Sequence, residues 1–249
     1  MKTWFFTEDA YPNLPDDETY ESVRVNLPNK HFDPVLGADL YNMYLDMWGA
    51  ADEMGLEIML NEHHQTATCV LPAAPIALGV LARETKKARL LILGNPIVNR
   101  KQPIRVAEEM AYIDVLSRGR LDCGFVRGVP YEIAPANAYP YRGSEKLWEA
   151  HDLIMKAWTH HDGPFNFEGR WFHARQVNIW PRPYQQPHPP VWVTMGSAGS
   201  AAQVAQRKHI GAVFLAGYPG IRRLFDGYRE GFLQAHGEEA PLDRLAYAA

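Results

Sequence analysis

Short runs of β-branched and aromatic residues alternate with longer amphipathic stretches along this sequence. Alternation of this kind is typical of a parallel α/β fold, in which a helix follows each strand and covers the sheet. Six strands are predicted, and a seventh begins near Leu245; the six cover residues 3–7, 56–61, 88–94, 121–126, 191–195 and 211–215. Helices are predicted between them over residues 39–54, 103–117, 144–158, 197–208 and 221–236.

Six or seven β/α units in succession favour an eight-stranded (β/α)8 barrel over an open, doubly wound sheet. None of the predicted strands is followed by the G-x-G-x-x-G motif of a dinucleotide-binding sheet. The seventh strand lies at the end of the sequence, whereas a closed barrel needs a further helix, strand and helix. We therefore expect a TIM-barrel type fold truncated near the seventh strand, with residues 1–249 as a single domain and the C-terminal barrel units missing.

Residues 159–190 interrupt the alternation of predicted strands and helices. The first part of this segment combines Gly and Pro with four aromatic residues, which predicts a hairpin. The second part contains five prolines between residues 181 and 190, which favours an extended connection into the next strand. We interpret the segment as an excursion from the barrel, and a linker between two domains is the alternative.

The composition excludes several classes of protein. Lys and Arg number 25 and Asp and Glu number 29, a net charge of −4, so no strong positive field is available to hold a nucleic acid or an anionic membrane. The longest apolar stretch, residues 70–82, is shorter than the ~20 residues of a membrane span, and the N-terminus lacks the apolar core of a signal peptide. With 2 cysteines and no C-x-x-C motif, we expect a cytoplasmic protein without disulfides.

Residues 61–64, with the sequence NEHH, stand at the end of the second predicted strand. The catalytic side chains of barrel enzymes lie at the carboxyl ends of the strands, so His63 is a candidate catalytic residue. For His64, a structural role with a hydrogen bond to a backbone carbonyl is an equal alternative. The sequence has neither H-E-x-x-H nor the H-x-H pair of a metal-dependent barrel hydrolase, so we expect no metal site.

Two other strand ends are candidate sites for an anion. Arg127 ends the fourth strand, where its guanidinium group could bind a phosphate in bidentate fashion or form an ordinary surface ion pair. Gly196 and Ser197 lie in a turn of small residues that opens a helix, so free N–H groups and the helix dipole favour an anion there. Simple capping of the helix by Ser197 is compatible with that function.

Four segments together resemble the bacterial luciferase-like family of flavin-dependent monooxygenases, such as alkanal monooxygenase. In chain order they are residues 62–64 (EHH), residues 102–120 (from QPIR to SRGR), residues 124–128 (GFVRG), and the prolines of 181–190 followed by Ser197. The resemblance extends from Trp4 to Ala249. The family's light-emitting members have a reactive cysteine where this chain has Val126, so we do not expect bioluminescence.

The resemblance implies a barrel that binds reduced FMN (FMNH2) at the carboxyl ends of its strands. Arg127 and the turn at Gly196 and Ser197 match the positions that hold the phosphate. Gly94-Asn95 matches the place where the family has a cis peptide under the flavin ring.

The resemblance also implies an activity and its partners. His63 matches the family's catalytic histidine, which is expected to hydrogen-bond the flavin or the substrate. The enzyme would insert one oxygen atom from O2 into a small apolar organic substrate. It would receive FMNH2 from an NAD(P)H-dependent flavin reductase, and the family's members suggest a dimer.

Three other functions are weighed against this one. A deazaflavin-dependent oxidoreductase of the same superfamily would transfer hydride without oxygen, although the EHH motif favours FMN. A flavin-binding protein without turnover is favoured by the early end of the sequence. A metal-dependent barrel hydrolase is disfavoured by the missing ligand motifs.

Overall fold

A seven-stranded parallel sheet is the centre of the fold. The computed structural model describes residues 2–16, 19–138 and 140–248, so the two ends of the predicted domain, Met1 and Ala249, lie outside the described residues. The strands pair in the order β1-β2-β3-β4-β7-β8-β9, and every pair is parallel. They are β1 (Trp4–Phe6), β2 (Glu57–Leu60), β3 (Leu90–Asn95), β4 (Leu121–Phe125), β7 (Val191–Thr194), β8 (Ile210–Phe214) and β9 (Leu245–Ala248). All seven predicted strands are therefore confirmed.

The sheet curls strongly, because side chains from distant strands touch on its inner face. Four strand intervals separate β1 from β7, which would be roughly 19 Å in a flat sheet. The rings of Trp4 and Trp192 are nevertheless only 5.3 Å apart, and those of Phe6 and Phe214 are 6.5 Å apart. The prediction of an α/β fold with a barrel-like parallel sheet is thus confirmed.

The longer helices pack outside the sheet, and one four-residue helix lies in the loop after the fourth strand. In chain order the helices are α1 (Pro34–Glu53), α2 (Ala74–Glu84), α3 (Pro103–Leu116), α4 (Pro130–Ile133), α5 (Gly143–Thr159), α6 (Ala198–Gln206) and α7 (Tyr218–His236). The five predicted helices are present, but α1 begins five residues earlier than expected. Asp33 caps it there, since its side chain accepts hydrogen bonds from the backbone of Val35 and Leu36, and Pro34 suits the first helical turn.

Helix α2 is absent from the sequence-based prediction. All but its last two residues belong to the apolar stretch 70–82, where two prolines argue against a regular element. Pro75 lies in the first turn of α2, where a missing N–H costs no intrahelical hydrogen bond. No helix within the described residues is both long enough and apolar enough to cross a membrane.

The segment between α5 and β7 contains the expected hairpin. Strands β5 (Phe165–Glu168) and β6 (His173–Val177) pair antiparallel and form a separate two-stranded sheet. The proline-rich residues that follow lead without regular secondary structure into β7.

A buried pair of histidines joins α5 to the residue before β8. His151 and His209 are 5% and 6% exposed, and their Nε2 atoms are 2.7 Å apart, so one ring donates a hydrogen bond to the other. Burial lowers the pKa of both rings, that of His209 to about 2. Both rings are therefore neutral at physiological pH in the folded protein.

This pair predicts a loss of stability in mild acid. Unfolded histidine takes up a proton near pH 6.5 and the folded pair does not, so the unfolded state gains protons as the pH falls. From pH 6.5 to 5.5 each histidine should cost about 1 kcal/mol of unfolding free energy. Urea denaturation measures the difference in unfolding free energy between wild type and His209→Gln. This difference should shrink by that amount from pH 6.5 to pH 5.5. A difference that does not change between the two pH values, measured beside the exposed control His173→Gln, would contradict the prediction.

For Asp9, in the segment after β1, we expect the opposite dependence of stability on pH. It is 1% exposed, neither carboxylate oxygen has a hydrogen-bond partner within the described part of the chain, and burial followed by the charge of Glu8 raises its pKa to about 7. The unfolded carboxyl is ionised above ~4, so Asp9 removes stability as the pH rises towards 7.

Asp9→Asn should therefore gain stability relative to wild type as the pH rises. The expected gain between pH 5 and pH 8 is about 2–3 kcal/mol in the free energy of unfolding. Urea denaturation at both pH values measures it, with the exposed Asp39→Asn as the control. A difference between Asp9→Asn and wild type that does not vary with pH would refute the assignment.

Candidate active site

A buried carboxylate, Glu62, organises the chain that follows β2. Its Oε1 accepts hydrogen bonds from Arg100 at 2.5 Å and from Nε2 of His64 at 3.1 Å, and its Oε2 accepts one from the backbone N–H of Ala74 at 3.2 Å. His64 thus binds a carboxylate instead of the backbone carbonyl considered above. The side chain of Glu62 is fully buried, so these donors offset the cost of its burial.

A second buried carboxylate, Glu132 on α4, holds His63. Its Oε1 lies 2.9 Å from Nδ1 of His63 and accepts a hydrogen bond from the backbone N–H of His64 at 3.0 Å. Its Oε2 accepts one from the backbone N–H of Val129 at 3.3 Å. Burial raises the pKa of Glu132, but the hydrogen bonds from His63, His64 and Val129 outweigh burial and lower the pKa below its ordinary value. The carboxylate is therefore ionised.

The end of β3 is packed closely against β4. A Cβ on Gly94 would lie 2.2 Å from Cγ1 of Val126, so only glycine fits there. A cis peptide bond that does not involve proline joins Leu93 to Gly94. The sequence comparison placed this bond at Gly94-Asn95, which is wrong by one residue. The register of β3 against β4 shifts between Ile92 and Asn95, an irregularity that the sequence pattern does not locate.

Asn95 is a buried amide at the carboxyl end of β3. It is 0% exposed, and neither its Oδ1 nor its Nδ2 has a hydrogen-bond partner in the described part of the chain. Unpaired buried amides are rare because each costs free energy. A polar ligand at this strand end would supply the missing partners.

Arg127 lies beyond the carboxyl end of β4 and is exposed. It forms no ion pair with any described residue, so a surface ion pair does not explain it. Phe125 of β4 pairs with Val193 of β7, which places Arg127 and the residues after β7 at the same edge on neighbouring strands. Gly128 follows with φ +79°, a left-handed turn that glycine adopts without strain.

The turn after β7 caps α6. The backbone N–H groups of Gly196 and Ser197 donate to Oγ of Ser200 at 3.1 and 3.0 Å, and Ser197 Oγ accepts from the N–H of Ser200. Of the N–H groups that the sequence predicts to be free in this turn, those of Gly196 and Ser197 are therefore bound, and Ser197 caps the helix as expected. A shallow surface pocket beside the first residue of α6, Ala198, is lined by Arg222 and Arg223 and equally by Asp226 and Glu230, so its charged side chains balance and add no net positive charge at this helix terminus.

The predicted site residues follow four neighbouring strands in spatial order. His63 follows β2, Gly94 and Asn95 end β3, Arg127 follows β4, and Gly196 and Ser197 follow β7. Three strand intervals span roughly 14 Å along this edge. The order suits an elongated ligand with a polar ring at the His63 end and an anion at the Arg127 end. Of the two residues that end β3, the unpaired amide of Asn95 is the one that fits the polar edge of a flavin ring, whereas Gly94 is covered by the side chain of Val126.

Two residues near the site were not predicted: Glu132, which contacts His63, and Arg100, which contacts the neighbouring Glu62. Glu132 lies 69 residues from His63 in the chain, on a four-residue helix inside a loop, and Arg100 lies 38 residues from Glu62. The short distance from Arg127 to Glu132 along the chain is the one sequence signal that places Glu132 near the strand ends.

Comparisons with known proteins identify the family of this chain and the structures that share its fold. The profile of the family described as luciferase-like monooxygenase matches residues 25–249. The oxygenase component of the flavin-dependent trigonelline monooxygenase of Acinetobacter baylyi is 30% identical over 158 residues, which are 62% of this chain and 43% of that protein. The alkanal monooxygenase beta chain of Photorhabdus luminescens is 28% identical over 165 residues, or 66% of this chain and 50% of that one. The chain thus matches about half the length of these relatives.

Solved structures share the fold. The oxygenating constituent of 3,6-diketocamphane monooxygenase from Pseudomonas putida, in complex with FMN, superposes with a TM-score of 0.78 at 18% identity, covering 99% of this chain and 66% of that one. An F420-dependent secondary alcohol dehydrogenase superposes with a TM-score of 0.72 at 17% identity, covering 83% and 63% of the two chains. Because the family profile matches most of this chain, residues 25–249, the chain belongs to the luciferase-like monooxygenase family.

Proposed function

We propose that this chain is the flavin-binding part of an FMN-dependent monooxygenase with a (β/α)8 barrel. The observation that supports this best is the order of His63, Asn95, Arg127 and Ser197 on four neighbouring strand ends. The FMN ring would lie at Gly94 and Asn95, and the phosphate at Arg127 and the turn of Gly196 and Ser197.

Each of these residues has a distinct task. Arg127 binds the phosphate through charge-assisted hydrogen bonds, and the N-terminus of α6 adds its dipole. Asn95 pairs its amide with the polar edge of the ring. His63, held by Glu132, presents its other ring nitrogen to the reacting groups, where it accepts or returns a proton.

Reduced FMN, when bound, supplies the electrons that activate O2 for transfer of one oxygen atom to a small organic substrate. The protein has to position that substrate and exclude water from it. The oxygenase component from Acinetobacter baylyi supports the proposal that a separate NAD(P)H-dependent reductase delivers FMNH2. A dimer is proposed from the family alone.

Arg127→Ala should weaken FMN binding through the phosphate. Loss of a charge-assisted hydrogen bond costs about 1.5–3 kcal/mol, so the Kd for reduced FMN should rise about 10- to 100-fold. Anaerobic fluorescence titration measures it, and riboflavin, which lacks the phosphate, should bind both proteins equally. Arg175→Ala on the hairpin is the matched control. Equal FMN affinities for wild type and Arg127→Ala would remove Arg127 from the phosphate site.

His63→Ala should keep the flavin and lose turnover. Proton transfer by a positioned histidine contributes about 10²–10⁴ in rate, so transfer of ¹⁸O from ¹⁸O2 to a substrate found by screening should fall by that factor. The Kd for FMN should stay within about twofold, and the exposed His173→Ala should behave as wild type. An unaltered rate in His63→Ala would contradict a catalytic role.

The F420-dependent neighbour makes deazaflavin the alternative cofactor. Titration with F420 beside FMN separates the two proposals. Tighter binding of F420, with hydride transfer that needs no O2, would replace the monooxygenase by an oxidoreductase.

A further inference from the structure

A cleft of about 610 Å³ lies beside His63. It opens between residues 25–32, helix α1 and residues 63–72, which connect β2 to α2. Tyr41 of α1 donates a hydrogen bond to the backbone oxygen of Val70 at 2.6 Å and so ties two of these walls together. The volume lies within the range of small-molecule sites.

The walls of the cleft are mostly apolar or neutral, and His31 and His63 are their basic side chains among the described residues. Tyr11, Phe32 and Val70 give it an apolar surface, and Gln65 and Thr66 add neutral polar groups. Within the described ranges, no Lys, Arg, Asp or Glu lines it. A charged ligand would lose its hydration here with only the imidazoles of His31 and His63 to compensate, so the cleft favours uncharged molecules.

Glu132 determines which nitrogen of His63 is protonated. An ionised carboxylate is only an acceptor, so Nδ1 of His63, 2.9 Å from Oε1, has to donate. The hydroxyl of Tyr131 is farther from the same nitrogen, at 3.4 Å. In the neutral ring, Nε2 is then the unprotonated nitrogen and can only accept a hydrogen bond.

Nε2 of His63 is free to meet a ligand. It has no hydrogen-bond partner among residues 2–16, 19–138 and 140–248, and it is not among the buried unpaired atoms. The side chain is 20% exposed and lines the cleft.

We propose that the cleft binds an uncharged small organic molecule that donates a hydrogen bond to Nε2 of His63, and that Glu132 is the positioning residue that fixes this polarity. As the substrate site of the monooxygenase, the assignment rests on the proposed function. The hydrogen-bond polarity and the binding do not require flavin, so both are tested on the flavin-free protein.

The first test is the tautomer of His63 in the ¹⁵N-labelled wild-type protein. Long-range ¹H–¹⁵N spectra, recorded where the ring is neutral, should show His63 protonated at Nδ1. His64, whose Nε2 faces Glu62, should show the opposite tautomer in the same spectrum. Protonation of His63 at Nε2 would overturn the proposal.

Two variants separate the roles of Glu132 and Tyr131. Glu132→Gln can donate as well as accept, so the Nε2-protonated form should appear, while Tyr131→Phe should leave the tautomer unchanged. A single Nδ1 tautomer retained in Glu132→Gln, or lost in Tyr131→Phe, would refute the role of Glu132.

The second test uses 4-ethylphenol and 4-ethylanisole, which differ in the hydroxyl donor. 4-Ethylphenol should shift the ¹⁵N resonance of His63 Nε2 and the amides of Gln65 and Thr66, and the ether should bind about tenfold more weakly. Equal affinities would contradict the donor requirement, and no binding of 4-ethylphenol would contradict the site. Either failure leaves FMN binding at Arg127 untouched, because no flavin is present.

Discussion

A parallel sheet brings the carboxyl ends of its strands to one edge, and the candidate site depends on that constraint. Every strand pair of the large sheet is parallel, so the residues that follow β2, β3, β4 and β7 meet there although they are spread over more than half of the chain. The curl of the sheet, seen in the contact between Trp4 and Trp192, directs these strand ends towards a common space.

Two buried carboxylates shape the chain at that edge. Glu62 binds Arg100, His64 and the start of α2, and Glu132 binds His63 and two backbone N–H groups. Each would be costly to bury alone, and its donors make it stable. The consequence for function is that His63 is held by a charged partner on one side while its other nitrogen stays open.

The elements of this fold were largely predictable from sequence, because strands and crossover helices follow local hydrophobic patterns. His63, Arg127 and Ser197 could be named as candidates because each follows a predicted strand. Helix α2 was missed because Pro75 resembles a helix breaker unless its place in the first turn is known. Glu132 was missed because its contact with His63 is made only in the tertiary structure. The free N–H groups expected at Gly196 and Ser197 are bound by Ser200, a local hydrogen bond that composition does not fix.

The central claim, that FMN spans four neighbouring strand ends, is tested most directly by a crystal structure of the chain with FMN. The account predicts the ring against Gly94 and Asn95, and the phosphate within hydrogen-bond distance of Arg127 and the turn at Ser197. FMN in the opposite direction, with its phosphate beside His63, or bound away from these strand ends, would contradict it.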